Sequence, residues 1–484
     1  MNRDADHIGG MEGPELQRLK SALLGGGSAL AIREAVGVLL SLIAVPIIFR
    51  EIGPAGYGFL GVALAIGSYG NRIGALGLDL YLIRYPGTHP VTLPGEALTF
   101  VGFLSTVIAT LILVLATPLA NAFGVPEAGS LVRLAALYVW LFVLGRIPLA
   151  LLEHQLRFRT VAGIELAGIL TYFVLVLPLV IGGSGYWGVA WAMLAQNGVM
   201  TTLAFLCQPI APRLSFRSRE LRRAISFAFE SQASIWLWSL RDLAGPVLVG
   251  NFLGLEALGI ITGAFLVLNR VAFLRQIVWR SSVAGLSKLE DLDLLRRAIA
   301  KGMLLQVILL GAVFAAFAVA SPWVLPTLIG ERWNQIIFVF PFIAFGALVN
   351  ATFSLHSSAL FARDRISDMT IFHLAHVATL WGSAAVLLPR FGLGGYCAAE
   401  VAATWPYVLL HFFLKREVGN LDYRLPLIIS GATAGVLFST PWLTTIASLS
   451  LCLGLAGAIL YFSPVTRHAT KEAITGVVST FARR

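Results

Sequence analysis

The sequence predicts an all-α polytopic membrane protein with about fourteen transmembrane helices, in two halves of six and a terminal pair. Three observations predict it. Apolar stretches of about 20 residues follow one another from Leu23 to Phe462, each long enough to cross roughly 30 Å of hydrocarbon as a helix. Only 12% of the 484 residues are charged while 57% are hydrophobic, against roughly 25% charged in a soluble domain, so a water-facing surface is missing. The basic residues gather on one side of the implied membrane. A transmembrane β-barrel would alternate polarity over segments of about ten residues, and that pattern is absent.

The first six spans fall at 23–49, 57–82, 97–120, 131–152, 161–181 and 186–206. The next six fall at 224–250, 257–280, 299–320, 335–359, 370–389 and 394–414, and a weaker pair at 425–440 and 443–463 completes fourteen. Turn residues mark the boundaries: Gly53-Pro54 after the first span, Gly182 to Gly185 between the fifth and sixth, and Gly394-Gly395 before the twelfth. The polar start, Met1 to Lys20, lacks a small-residue cleavage signature, so the first span reads as a retained helix.

With the N-terminus placed in the cytoplasm, cytoplasmic segments carry 25 of the 35 basic residues. The opposite side carries four, Arg50, Arg133, Arg332 and Arg390. This bias follows the positive-inside rule and puts both termini in the cytoplasm. It also accounts for the formal charge of +10, whose dispersed residues form no nucleic-acid patch. The expected organisation is a cytoplasmic segment over 1–22, a six-helix bundle over 23–206, a basic linker over 207–223, a second bundle over 224–414, an added helix pair over 415–463 and a tail over 464–484. The linker holds five arginines between Arg213 and Arg223. A faint repeat supports the division: Gly53 to Gly58 and Gly254 to Gly259 share one glycine spacing, 201 residues apart, at the first outward turn of each half. Halves of like topology are a transporter signature.

Ionisable groups inside membrane helices cost roughly 2.5–3.5 kcal/mol each on insertion scales and mark functional sites or internal pairs. Here Arg33-Glu34 lies in the first span, Arg72 and Asp79 in the second, Glu165 in the fifth, Glu230 and Arg241-Asp242 in the seventh, Arg270 and Arg275 in the eighth, and Glu400 in the twelfth. Snorkelling suffices for Arg275 and Asp79, near span ends. Arg33, Arg72, Arg241 and Arg270, two per half, are the candidate substrate-binding residues of a cavity between the halves. Guanidinium keeps its charge and offers a rigid donor fork to phosphate oxygens. Glu34, Asp242, Glu165, Glu230 and Glu400 are the candidate charge partners or ion-coupling groups. Adjacent residues do not share a helix face, so Glu34 and Asp242 either hold their arginines or meet neighbouring helices.

Trp236, Trp238, Tyr138, Trp140, Tyr186, Trp187 and Trp191 suit sugar stacking, but an interfacial belt explains them better. His356, His373 and His376 suggest a proton relay, with His373 and His376 on one helical face; no carboxylate accompanies them in those spans, and burial is the stronger reading. Cys207, Cys397 and Cys452 show no ligand spacing and read as small buried residues. Gly25-Gly26-Gly27-Ser28 lacks phosphate-loop spacing, and HExxH and GxSxG are absent, so neither cofactor, metal nor catalysis is expected. A membrane glycan ligase or polymerase would need a sizeable outer loop, and the longest here runs from Ala320 to Gln335. A non-transporting assembly scaffold is the third class.

The segment Phe49-Arg50-Glu51-Ile52-Gly53-Pro54-Ala55-Gly56-Tyr57-Gly58 resembles the LGPxxYG turn of bacterial polysaccharide-biosynthesis (oligosaccharide) flippases. Ile73 to Arg84 resembles the GLxxxxxR segment that follows it, and Asn251 to Gly259 echoes the turn. That family belongs to the multidrug/oligosaccharidyl-lipid/polysaccharide exporter superfamily. The resemblance implies two six-helix bundles around a central cavity plus two C-terminal helices, in a bacterial cytoplasmic membrane. It implies alternating-access transport of a polyprenyl-diphosphate-linked oligosaccharide, with protons or sodium as candidate coupling ions. Partners would be membrane lipids, a polysaccharide polymerase and assembly proteins. Drug/cation antiporters and the peptidoglycan lipid-precursor flippase share the architecture and remain the alternatives.

Overall fold

A computed structural model describes residues 13–85, 90–214, 218–271 and 291–440, with Gly454; of 13–27, 230 and 231 it describes the backbone alone. The expected last span at 443–463, the tail, the end of the eighth span with Arg275, and Cys452 lie outside the described residues.

Among the described residues the regular structure is helical, and nine stretches are long and apolar enough to cross a membrane. Three of them, Ser28–Ala75, Phe158–Cys207 and Gln232–Val271, have 48, 50 and 40 residues. A straight helix of 48 residues would measure about 72 Å, more than twice the hydrocarbon thickness, and each of the three is broken. In α1 (Gly13–Ala75) the break is Gly53, at φ 68° and ψ 175°. Pro54, which needs no N–H partner, then occupies the first position of the restarted helix. α6 (Phe158–Leu179) and α7 (Gly185–Cys207) are joined by a π-helical segment, Val180–Ser184, with Gly183 at φ 88°. α8 (Arg219–Ala244) passes through the π segment Gly245–Val249 into α9 (Gly250–Val271), broken at Gly254 with φ 82° and ψ −171°. Gly53 and Gly254, the matched glycines of the repeat, thus take nearly one conformation, in a region open essentially to glycine alone.

The remaining elements are α2 (Leu78–Arg84), α3 (Leu93–Val114), α4 (Ala116–Ala122), α5 (Gly129–His154), α10 (Leu292–Ile329), α11 (Gln335–Ala362), α12 (Ile366–Phe391), α13 (Leu393–Ala402), α14 (Tyr407–Val418) and α15 (Arg424–Ser439). Three expected spans and one expected loop differ from the reading of the sequence. The expected span 57–82 is interrupted where Leu76 and Gly77 take φ of 50° and 77°, so α2 restarts separately. The span 97–120 is divided at Leu115 into α3 and α4. The span 394–414 is divided between Ala402 and Tyr407, where Pro406 removes a donor and crowds the preceding turn. The expected outer loop from Ala320 is instead helical to Ile329, with Pro322 and Pro326 inside α10, followed by a 3₁₀ turn at Glu331–Trp333. Membrane helices tolerate such prolines because neighbours satisfy the freed carbonyls.

The chain divides into two compact units, Met1–Ser239 and Leu240–Arg484. In the first, small residues let helices approach: a Cβ added to Gly145 of α5 would stand 2.5 Å from the Thr201 hydroxyl of α7, which itself donates to Leu141 O at 2.9 Å. In the second, Phe314, Trp333 and Phe340 are fully buried between α10 and α11. α15 closes that layer with Phe438, whose ring lies 5.1 Å from Phe342.

Candidate functional site

The arginines singled out in the first unit are held by groups from other helices. Arg33 of α1 reaches Glu165 Oε2 of α6 at 2.7 Å and its neighbour Glu34 at 2.5 Å. Glu34 therefore holds its own arginine, and Glu165 is a second partner from another helix. The Arg33 and Glu165 side chains keep 24% and 25% of their surface exposed, and Glu34 is half open at 54%. Arg33 Nε is buried without a hydrogen-bond partner, so the fork has a donor in reserve. Arg72, in the last turn of α1, donates to the Ser239 hydroxyl of α8, and its carbonyl accepts from Trp236 Nε1 at 3.2 Å. Trp236 is thus fixed by a backbone carbonyl close to one of the candidate arginines.

Arg146 of α5 lies within the expected span 131–152 and is not among the candidate residues. Its Nε and Nη2 donate to Asp79 Oδ2 of α2 at 3.0 and 2.6 Å. Asp79, read as a snorkelling group, is the acceptor of this two-pronged bond. The available signal was the position of Arg146 deep in an apolar span.

In the second unit Arg241 stands near the end of α8. Its Nη2 meets Glu400 Oε2 of α13 at 2.8 Å, whereas Asp242 Oδ1 lies 3.8 Å from Nη1. The close partner is on a neighbouring helix, and Asp242 is exposed. Glu400 keeps only 2% of its side chain exposed, and its second oxygen accepts from the Tyr396 hydroxyl at 2.9 Å. The Phe265 ring lies 5.8 Å from the Arg241 guanidinium carbon. Two charges are thereby satisfied in a dry setting while Arg241 keeps 22% of its side chain open. Arg270 is exposed on α9. The side chain of Glu230 lies outside the described residues. Among the described residues no group of three or more His, Cys, Asp or Glu residues is placed to hold a metal ion.

Of the aromatic residues, Trp140 donates to Thr106 Oγ1 at 3.1 Å, and Tyr186 stacks on Phe59 at 4.7 Å. Trp191 is half exposed. His356, His373 and His376 are all buried. His356 has a partner that sequence spacing did not reveal: the Tyr423 hydroxyl, 2.6 Å from Nε2.

Residues 47–338 match a family model described as polysaccharide biosynthesis protein. Over 306 residues the chain is 25% identical to the succinoglycan biosynthesis transport protein ExoT of Rhizobium meliloti (strain 1021), a match covering 61% of this chain and 60% of that protein. It is 20% identical over 381 residues to the teichuronic acid biosynthesis protein TuaB of Bacillus subtilis (strain 168), covering 76% of each. The match therefore spans about three fifths and three quarters of these relatives' lengths. Among solved structures, the lipid II flippase MurJ in an inward closed conformation superposes with a TM-score of 0.70 over 91% of this chain and 98% of its own, at 11% identity. An inward-facing multidrug resistance MATE transporter of the MOP superfamily gives 0.61 over 80% and 97%, at 16% identity.

Proposed function

Because the chain belongs to the polysaccharide biosynthesis protein family and has the fold of MOP-superfamily transporters, we propose that it is a lipid-linked oligosaccharide flippase. It carries a polyprenyl-diphosphate-linked glycan across the cytoplasmic membrane for surface polysaccharide export, by alternating access. Fourteen crossings with cytoplasmic termini are part of the proposal, supported by the charge bias and by the glycine breaks that divide the long elements. The family match over residues 47–338 carries the reading, and the name of the succinoglycan transport relative agrees with it.

In this reading Arg33, Arg72, Arg241 and Arg270 bind the diphosphate, and Glu165 and Glu400 pair with Arg33 and Arg241 while no substrate is present. A diphosphate competes with the carboxylates for the guanidinium donors, and Glu400, fixed by Tyr396, stays in place. Binding must remain weak enough for release, so the arginines form a path shared between conformations and not one four-point clamp. Coupling ions, a polymerase and assembly proteins are the partners this transport requires or serves.

The test is translocation by the eight single variants carrying lysine or glutamine at each arginine, with membrane levels measured in parallel. Lysine keeps the charge without the planar fork, and glutamine keeps a donor without the charge. Charge-dominated binding predicts that lysine variants retain most flipping and glutamine variants lose it. Fork-dominated binding predicts that both fail. Near-wild-type activity in all eight overturns the assignment. The likeness to MurJ favours a second reading, a peptidoglycan lipid-precursor flippase, and the MATE likeness a drug/cation antiporter. Presenting lipid II, a cationic drug and a lipid-linked repeat unit to the same liposomes separates the three.

A further inference from the structure

The second unit contains a hydrogen-bonded chain that the arginine sites do not use. Tyr423, in the turn Gly419–Tyr423 between α14 and α15, places its hydroxyl 2.6 Å from Nε2 of His356 on α11 and 2.9 Å from Nδ1 of His411 on α14. One hydroxyl thus bridges two imidazoles on different helices. His356 is fully buried and its Nδ1 has no hydrogen-bond partner; His411 is partly open. Burial raises the Tyr423 phenol well above its ordinary range, so this hydroxyl stays neutral and can both donate and accept.

We propose that His411, Tyr423 and His356 form a proton-binding relay that holds one excess proton while clamping the turn before α15 to α11 and α14, and that a second proton opens the clamp. The proton count decides this. A phenol has one proton to donate and can accept another bond. With both imidazoles neutral, one donates its N–H to the Tyr423 oxygen and the other accepts the Tyr423 O–H. With one excess proton on His411, Nδ1–H still donates to Tyr423, which still donates to Nε2 of His356. Transfer is balanced: His411 Nδ1 gives its proton to the Tyr423 oxygen as Tyr423 gives its own to His356 Nε2, so the phenol remains neutral and the charge moves from His411 to His356. With both imidazoles charged, two N–H groups point at one oxygen and the Tyr423 O–H has no acceptor. The bridge then breaks.

The surroundings bias where the proton rests. A charged His356 would place an imidazolium in a fully buried setting, a costly state, whereas His411 is partly open, so the excess proton rests at His411. Lys415 lies one turn along α14 from His411. Arg296 of α10, close to Gly419, adds positive charge to the same turn. Asp422 binds Arg424 N at 2.9 Å and Glu417 pairs with Arg365 at 3.1 Å. The other packed elements contribute hydroxyl, amide and imidazole groups. Tyr407 of α14 is bound by Asn350 at 2.6 Å, and the His376 ring of α12 stands 5.6 Å from it. His373 is one turn from His376, and Gln306 of α10 accepts from Ser354 at 2.7 Å.

The experiment follows the histidine ring nitrogens of the full-length protein in lipid nanodiscs by NMR across pH, with H356Q and H411Q difference spectra giving the assignments. Hydrogen exchange of residues 419–423 is recorded alongside. The expected result is one titration step shared by the His356 and His411 rings, and a second at lower pH coinciding with loss of exchange protection in the turn. Y423F should abolish the shared step: His411 then titrates alone and His356 does not titrate. If Y423F does not fold, H411Q tests the relay from its entry, and His356 should lose its titration there too. Independent titration of the two rings in the wild type, or a turn whose exchange ignores the second step, overturns the proposal. No transport substrate is needed, so failure here leaves the flippase reading intact, and failure of that reading leaves this site intact.

Discussion

Arg241 and Arg33 rest on different supports. Glu400 is almost wholly buried and shared with Tyr396, whereas Glu34 and Glu165 are partly open. Removing one partner of a buried pair leaves an uncompensated charge and costs about 3–5 kcal/mol; removing an exposed partner costs under about 1 kcal/mol. Glu400→Gln should therefore lower the thermal unfolding midpoint of the purified protein strongly, and Glu34→Gln hardly at all. Equal shifts would contradict the division. A charge in the middle of an apolar span is visible in sequence, which is why Arg33 and Arg241 could be singled out. Their partners could not be, because Glu165 and Glu400 lie 132 and 159 positions away and meet them only through tertiary packing. Arg146 shows the complementary failure: it was visible as an intramembrane charge, but nothing local pointed to Asp79.

The elements carry the repeat more firmly than the residues do. Gly53 and Gly254 break α1 and α9 with almost the same dihedral angles. No atom lies within 4 Å of where a Cβ on Gly254 would stand, so the need for glycine there is conformational and not steric. Ala at either position should cost about 1–3 kcal/mol in backbone strain, read as a lowered unfolding midpoint of similar size for G53A and G254A. An unchanged midpoint for both would remove the conformational argument. These breaks were readable because glycine pairs mark them. The helical run to Ile329 was not, since Pro322 and Pro326 look like boundaries to local rules and are tolerated only through contacts with neighbours. The division at Pro406 was hidden for the opposite reason, an apolar run that continues across it.

At the scale of the molecule, the proposed transport depends on how often and in which direction the chain crosses the membrane. Topology is checked by reporter fusions after residues 125, 183 and 330, which should all report the outer side; a cytoplasmic report from any of them would break the fourteen-crossing assignment. Whether the chain moves a lipid-linked glycan without altering it is measured with purified protein in liposomes loaded with such a substrate in one leaflet. The predicted result is protein-dependent appearance of the glycan in the opposite leaflet at unchanged mass, reduced when glutamine replaces Arg33 or Arg241. Absence of transfer by correctly inserted protein, or a product with a new glycosidic bond, would contradict it.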